Sequence, residues 1–322
     1  MAIPAATTKT SEAIGLREDL SDIISRIDPT EVPFQSNIGR GKARAVKHEW
    51  QTQALAAATD TNAMIEGDDA STDTFTATVR VGNYVQTSDK VASVSDFVRE
   101  VEAAGRDDEL EYEVMLKGLE LRRDTEKQML SNKASVAGAS GTARVSGSFG
   151  NWLASNKSHG NTGATPGYSV TTGLVEAVVA GVARSFAEAM IKTVMSSAYQ
   201  NGGKPRILLL APGLKVQFSA FTGIAQIRKD VPGAAQQATI IGAADVYVSD
   251  FGPLNVVVDL FQLSTDAYLV DTKMASMLTV RGMQNRALAK TGDSTRRQII
   301  MDYTLKVHNE KAHGKVSDLS PT

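Results

Sequence analysis

The constraint that most limits the fold lies near the end of the chain, where Ile299, Met301, Tyr303, Leu305 and Val307 alternate strictly with other residues from Gln298 to His308. A companion run, Met277 to Leu288, precedes it across the turn segment AKTGDST. Period-two alternation of this length marks strands, and two such runs around a Gly-containing turn predict a long β-hairpin. A second pair lies upstream. Val46, His48, Trp50 and Thr52 oppose Lys47, Glu49, Gln51 and Gln53, and Phe75, Ala77, Val79 and Val81 oppose Thr74, Thr76, Thr78 and Arg80. At about 3.3 Å per residue each strand of this second hairpin would reach roughly 30 Å. Its connection is rich in alanine and acids, with Asp60, Glu66, Asp68, Asp69 and Asp73, and far exceeds the usual hairpin loop of about two to five residues. A two-stranded arm is marginal alone in water, so both hairpins need a surface to lie on.

The other segments supply helices and a buried sheet. Leu16, Leu20, Ile23, Ile24 and Ile27 recur at helical spacing across Ser11 to Ile27, and Asp28 followed by Pro29 should end that amphipathic helix before an extended DPTEVPF segment. Ser95 to Ala104 predicts a short helix, Gly105 a break, and Asp107 to Leu130 a helix of about 36 Å. Acids crowd its start and Arg122, Arg123 and Lys127 its end, as the helix dipole favours, and Glu113 and Lys117 are spaced for an ion pair. Leu110, Val114, Met115, Leu119 and Leu121 are its expected packing face. Ser131 to Gly173 has eight glycines and no acidic residue, and reads as a loop-rich connector anchored by Trp152 and Leu153. A helix from Phe186 should stop at Asn201, Gly202 and Gly203. RILLLAP then predicts a buried strand, Pro212 opens a helix, and Tyr247 to Val248, Leu254 to Phe261 and Ala267 to Val270 supply further strands, the first two joined at Gly252 and Pro253. The fold class is α+β.

Familiar chemistry is missing. Gly41, Gly203 and Gly314 each precede lysine, but Ser36, Ala198 and Asn309 stand where a phosphate loop needs its first glycine. His308 and His313 are five apart, which denies them the one-faced spacing of a zinc helix, and with no cysteine and no G-x-S-x-G elbow the usual nucleophiles are lacking. No catalytic, cofactor-binding or metal-binding residue is assigned. Net charge is -2, and the densest basic stretch, Arg40, Lys42, Arg44, Lys47 and His48, reads as a solvated or intersubunit patch ahead of a nucleic-acid site. No apolar run approaches the roughly 18 residues of a membrane span, so no membrane partner is expected. The first residues lack the basic-then-apolar pattern of a secretory signal and cysteines are absent, so assembly in a cytoplasm is expected.

Four separated strings, LSDIISRIDPTEVPF, RVSGSFGNWLASN, FAEAMIKTVMSSAYQNGG with RILLLAP, and AKTGDSTRRQIIMDYTLKVHNEKAHGKVSDL, occur in the order found in the major head proteins typified by phage SU ten. The chain resembles that family over nearly its whole length, and the order of its elements resembles the phage capsid fold named after phage Hong Kong 97. The resemblance implies a structural protein: a major capsid protein whose hexamers and pentamers form the icosahedral or elongated head of a tailed bacteriophage around double-stranded DNA, assembled in the host cytoplasm. It implies an N-terminal arm (1–44), an extended hairpin loop (45–92), a peripheral domain (93–173 and 276–308) with a spine helix at 107–130, and an axial domain (174–275 and 309–322). Residues expected to meet neighbouring copies are Leu16, Leu20, Ile24, Ile27, Trp50, Asp60, Glu66, Asp68, Asp69, Asp73, Lys290 and Asp293. Packaged DNA would be touched only non-specifically, and scaffold, portal and cement proteins are further implied partners. Many relatives begin with a cleaved scaffolding segment, whereas family-like sequence starts here within the first thirty residues, so a separate scaffold or none is expected. An encapsulin-like compartment shell and a cytoplasmic α+β enzyme or ligand-binding protein are the alternatives.

Overall fold

A computed structural model describes residues 27–70, 76–101, 108–221 and 246–321. The helix expected over Ser11 to Ile27 lies outside these residues except for Ile27. In chain order come α1 (Pro33–Asn37), β1 (Gly39–Lys42), β2 (Lys47–Thr52), β3 (Val79–Tyr84), β4 (Gln86–Ser95), α2 (Asp96–Glu100), α3 (Glu109–Leu130), α4 (Phe149–Trp152) and β5 (Lys157–Ser158). Then follow α5 (Glu188–Gln200), β6 (Ile207–Leu210), α6 (Pro212–Ser219), β7 (Val246–Ser249), β8 (Gly252–Val258), β9 (Ala267–Val270), β10 (Ala275–Ala287), β11 (Ser294–Val307) and β12 (Gly314–Val316).

Among the described residues three sheets form, ordered β1-β10-β11-β4, β5-β12-β9-β6-β8-β7, and β2-β3. The terminal hairpin is β10 and β11, and its register slips between Thr279 and Arg281 and again between Arg281 and Gln284. Such bulges bend the ribbon and raise its twist. β4 runs antiparallel along the other side of β11, from Gln86 opposite Tyr303 to Ser95 opposite Ser294. The sequence reading does not contain this strand. Its alternate residues Lys90, Ala92 and Val94 face α3, where Ala92 and Val94 pack on Leu110 and Lys90 bridges Asp124 at 2.8 Å and Glu120 at 3.7 Å.

The upstream hairpin is shorter than expected. Lys47 pairs with Tyr84 and Thr52 with Val79, so its second strand starts at Val79, and Thr76, Ala77 and Thr78 are not strand. Alternation alone did not show where pairing ends.

α3 is close to its expected span, and the Asp108 side chain accepts from Leu110 N at 2.9 Å as its cap. Its buried face is Leu110, Leu121, Thr125, Glu126, Met129 and Leu130, while Met115 is exposed. Lys117 pairs with Glu120 at 2.8 Å, one position short of a full turn, and not with the expected Glu113. α5 buries Ile191, Val194, Met195 and Ala198 and ends at Asn201, with Gly202 at φ 83°, a conformation glycine adopts without a Cβ penalty. Gly252 and Pro253 belong to β8, and the turn between β7 and β8 is Asp250–Phe251.

β6 is buried on both faces and divides the molecule. Ile207 and Leu209 belong to one core with Phe34, Trp50, Phe149, Trp152 and Tyr303. Leu208 and Leu210 belong to a second with Ile191, Leu214, Phe218 and Leu254. Side chains of a strand alternate in direction, so four consecutive apolar residues wall two cores at once.

Candidate assembly surfaces

Among the described residues the hairpin β2–β3 pairs as a sheet only with itself, so its position depends on its root. Trp50 is 9% exposed. Its ring lies 5.2 Å from that of Trp152 and 5.9 Å from His48, with Lys306 Nζ 5.7 Å away over the indole. Trp50 therefore spends its surface within its own subunit. Beside it, Asn83 is fully buried and donates to Leu305 O at 2.8 Å, while its Oδ1 accepts from Gly147 N at 2.8 Å and Ser135 Oγ at 2.9 Å. Sequence reasoning missed Asn83. Its signal was a Gly-Asn pair inside a strand, where such residues are depleted unless they serve close backbone contact.

Beyond the root the chain turns outward. Residues 53–70 are exposed throughout, including Asp60, Glu66, Asp68 and Asp69 and the apolar Leu55, Met64 and Ile65. Asp73, Leu16, Leu20 and Ile24 lie outside the described residues, and Ile27 is fully exposed.

At the far end of β10 and β11, Lys290 forms an ion pair with Asp96 of α2, and Asp293 O accepts from Asp96 N at 3.4 Å. The Lys290 ammonium, together with Thr295 Oγ1 donating at 2.6 Å, holds the Asp96 carboxyl below its ordinary range. The tip is thus braced against its own α2, which exposes Phe97 and Val98, with Val101 exposed just after it. Lys290 and Asp293 share this site, distant in sequence from the acidic segment.

A cavity of about 430 Å³ is lined by Thr87, Ala137, Gly138, Ala139, Thr142, Ala143 and Arg144, without an acid, a base or a nucleophile pair. Among the described residues no three His, Asp or Glu side chains converge as a metal would require, and no helix is long and apolar enough to cross a membrane. Perturbed groups are structural. Burial lowers His313 to about 4, its Nδ1 accepting from Asp271 N at 3.1 Å and its Nε2 lying 3.2 Å from Met274 O. Asp318 accepts from Gly181 N at 2.7 Å and Gly160 N at 2.9 Å.

The family model described as SU10 major capsid protein matches residues 4–320. A major capsid protein of Escherichia phage Phieco32 is 36% identical over 120 residues, which is 37% of this chain and 34% of that relative, so the match spans about a third of the curated protein. In structure, a chain from Gordonia phage Cozz superposes with a TM-score of 0.62 at 10% identity, covering 99% of this chain and 98% of that one. The capsid of cyanophage P-SCSP1u gives 0.59 at 11% identity, covering 99% and 97%. Mycobacterium phage Bobi gives 0.59 at 12%, covering 98% and 100%. At such identities these likenesses speak for the fold, which is the Hong Kong 97 type.

Proposed function

The chain belongs to the SU10 major capsid protein family, a structural shell protein of the tailed-phage virion and not an enzyme, and from that premise we propose how it builds the shell. Copies associate as hexamers and pentamers of a closed head around double-stranded DNA, in the host cytoplasm, with DNA touched only through non-specific contacts. The observation that carries this reading is the outward segment 53–70, where Leu55, Met64 and Ile65 are exposed among acids. A subunit that has closed two cores leaves these residues for a neighbour to cover.

In this reading residues 45–92 overlap an adjacent copy, with Asp60, Glu66, Asp68, Asp69 and Asp73 facing its basic groups. Residues 1–44 run as an arm whose Leu16, Leu20, Ile24 and Ile27 bury against a neighbour. Residues 93–173 and 276–308 form the peripheral unit, whose tip at Lys290 and Asp293 meets other copies near local threefold axes. Residues 174–275 and 309–322 form the axial unit. A scaffold, a portal and cement proteins are the remaining partners of this scheme. Native mass measurement with electron microscopy of the purified full-length chain tests it. The expected result is capsomers or closed particles of very high mass, and a folded monomer across a wide range of concentration and salt would refute it.

A further inference from the structure

α3 carries an acid on its apolar side. Glu126 is fully buried; its Oε1 accepts from Phe34 N at 2.6 Å and its Oε2 from Gln35 N at 3.1 Å, at the start of α1. Gln35 returns a bond to α3, its Nε2 donating to Arg122 O at 2.9 Å. Against Glu126, within hydrogen-bonding reach, lies a second fully buried carboxyl, Asp259, which follows β8. Asp259 N donates to Leu210 O at 2.9 Å, and its Oδ1 accepts from Phe261 N at 2.8 Å. Its Oδ2 is buried and meets no donor.

Among the described residues no cation is paired with either carboxyl. On α3, Arg122 and Lys127 are exposed, and the Arg123 guanidinium sits 5.6 Å from the centroid of the Phe261 ring. α1 and α4 carry no charged residue. Beyond β8, Asp266 is engaged by Lys315 at 3.2 Å and by the Tyr268 hydroxyl at 3.0 Å. Two buried carboxylates without a counter-charge cannot both be ionised, so one proton must be shared. Both Glu126 oxygens already accept an N–H, and so does Asp259 Oδ1. The proton therefore belongs on Asp259 Oδ2, donated to Glu126.

We propose that this shared proton is a latch joining α1 to α3 and to the six-stranded sheet, and that its loss at alkaline pH frees α1. Burial raises both carboxyls, Glu126 to about 8, and the pair gives up its one shared proton near there. A proton held more tightly in the folded chain than in the unfolded one stabilises the fold fully below the ordinary carboxylate range, and that stabilisation is lost as pH rises through about 8. The latch is internal to one subunit and independent of how copies assemble.

Hydrogen exchange of peptides spanning 30–38, followed from pH 6 to 9.5 in the full-length chain and corrected for base catalysis with an unstructured peptide, tests it. In the wild type, the corrected exchange rate should rise by up to about tenfold per pH unit on the way to the pair's ionisation near 8 and level off above it. Asp259→Asn supplies a permanent donor to Glu126 and keeps the acceptor for Phe261 N, so its protection should hold across the range. Glu126→Gln sets an amide NH₂ against a backbone N–H and should lose protection at every pH. An alkaline rise in Asp259→Asn equal to that of the wild type, or undiminished protection in Glu126→Gln, overturns the proposal. Infrared spectra of the wild type decide independently of either variant folding: the band of a protonated carboxyl should be present at pH 7 and titrate away near 8, and its absence at pH 7 overturns the latch.

Discussion

Replacing Trp50 by alanine should detach the β2–β3 hairpin while the rest of the subunit stays folded. A tryptophan buries on the order of 150–250 Å², and Trp50 is 9% exposed. At about 25 cal/mol per Å² that is roughly 4–6 kcal/mol, near the ~3–5 kcal/mol typical of a core aromatic truncated to alanine. Losing the Lys306 contact over the ring adds about 0.5–1 kcal/mol. Spread over the whole molecule, such a loss would threaten a fold stable by only about 5–15 kcal/mol.

The structure confines it. Among the described residues β2 and β3 pair only with each other, and beyond Trp50 the strand pair is docked mainly by Val81 in the core, by Gly82 N donating to Gly173 O at 2.9 Å, and by Asn83. The least costly response is local opening of the hairpin. Hydrogen exchange should therefore become fast at 47–52 and 79–84 and stay slow in β6 and β9, with shells lost. Trp50→Phe, which keeps a ring against Trp152, should recover part of both. Normal shells from Trp50→Ala with unchanged protection in the hairpin would refute the reasoning.

Replacing residues 54–70 by a short Gly-Ser turn should leave subunit melting nearly unchanged, since each doubling of loop length costs only about 0.6 kcal/mol, yet make particles less resistant to heat and denaturant; unaltered particle resistance would count against the proposed contact. For His313, depressed to about 4 by burial, stability is present above the unfolded value near 6.5 and falls as pH drops toward 4, by roughly 3 kcal/mol in total. Acid titration of melting should show a shallower limb in His313→Asn, which keeps an acceptor for Asp271 N, than in the wild type. Asp318 sits at φ 59°, a conformation asparagine tolerates. Asp318→Asn should therefore lose only hydrogen bonds, about 1–3 kcal/mol, read as a lowered midpoint in chemical denaturation, and an unchanged midpoint would show that the Gly160 and Gly181 contacts carry no weight.

Where one periodicity dominated, the elements were legible. RILLLAP gave β6, the alternation before His308 gave β11, and Ile191, Val194, Met195 and Ala198 gave the buried face of α5. β4 was invisible because QTSDKVASVS carries few large apolar residues. It is held by pairing with β11 and by the Lys90 bridges, which are tertiary facts. The upstream hairpin was overextended because Thr76 to Thr78 keeps the alternation after the pairing has ended. Of the candidate contacts, Asp60, Glu66, Asp68 and Asp69 are exposed. Trp50 shows the limit, since an aromatic on an alternating strand reads the same whether it faces a neighbour or its own core. Glu126 was legible only as an anomaly, an acid one turn before Leu130 on the stripe of Leu121 and Met129, and its partner Asp259 lies too far along the chain for any spacing rule.

The exposed apolar residues follow a pattern that bears on how a shell can close. Among the described residues the two cores are complete without Leu55, Met64 and Ile65 of the outward segment, without Phe97, Val98 and Val101 of α2 and its end, and without Val280, Met283 and Leu288 of β10. They fall in the outward segment and along the terminal hairpin with the α2 that braces its tip, so they come from separate stretches of the chain. A single large apolar face would commit two copies to each other strongly at first encounter, whereas small separate faces give weak contacts that become strong only when several are made together. Weak separate contacts allow a misplaced copy to leave before the next arrives. The same logic places the stiff elements behind the sticky ones: Asp96 ties Lys290 and Thr295 at the hairpin end, and Lys90 ties β4 to α3. A tip that presents Phe97 and Leu288 to a neighbour in the proposed shell is thus already ordered before it meets one, and the entropy of fixing it has been met within the subunit.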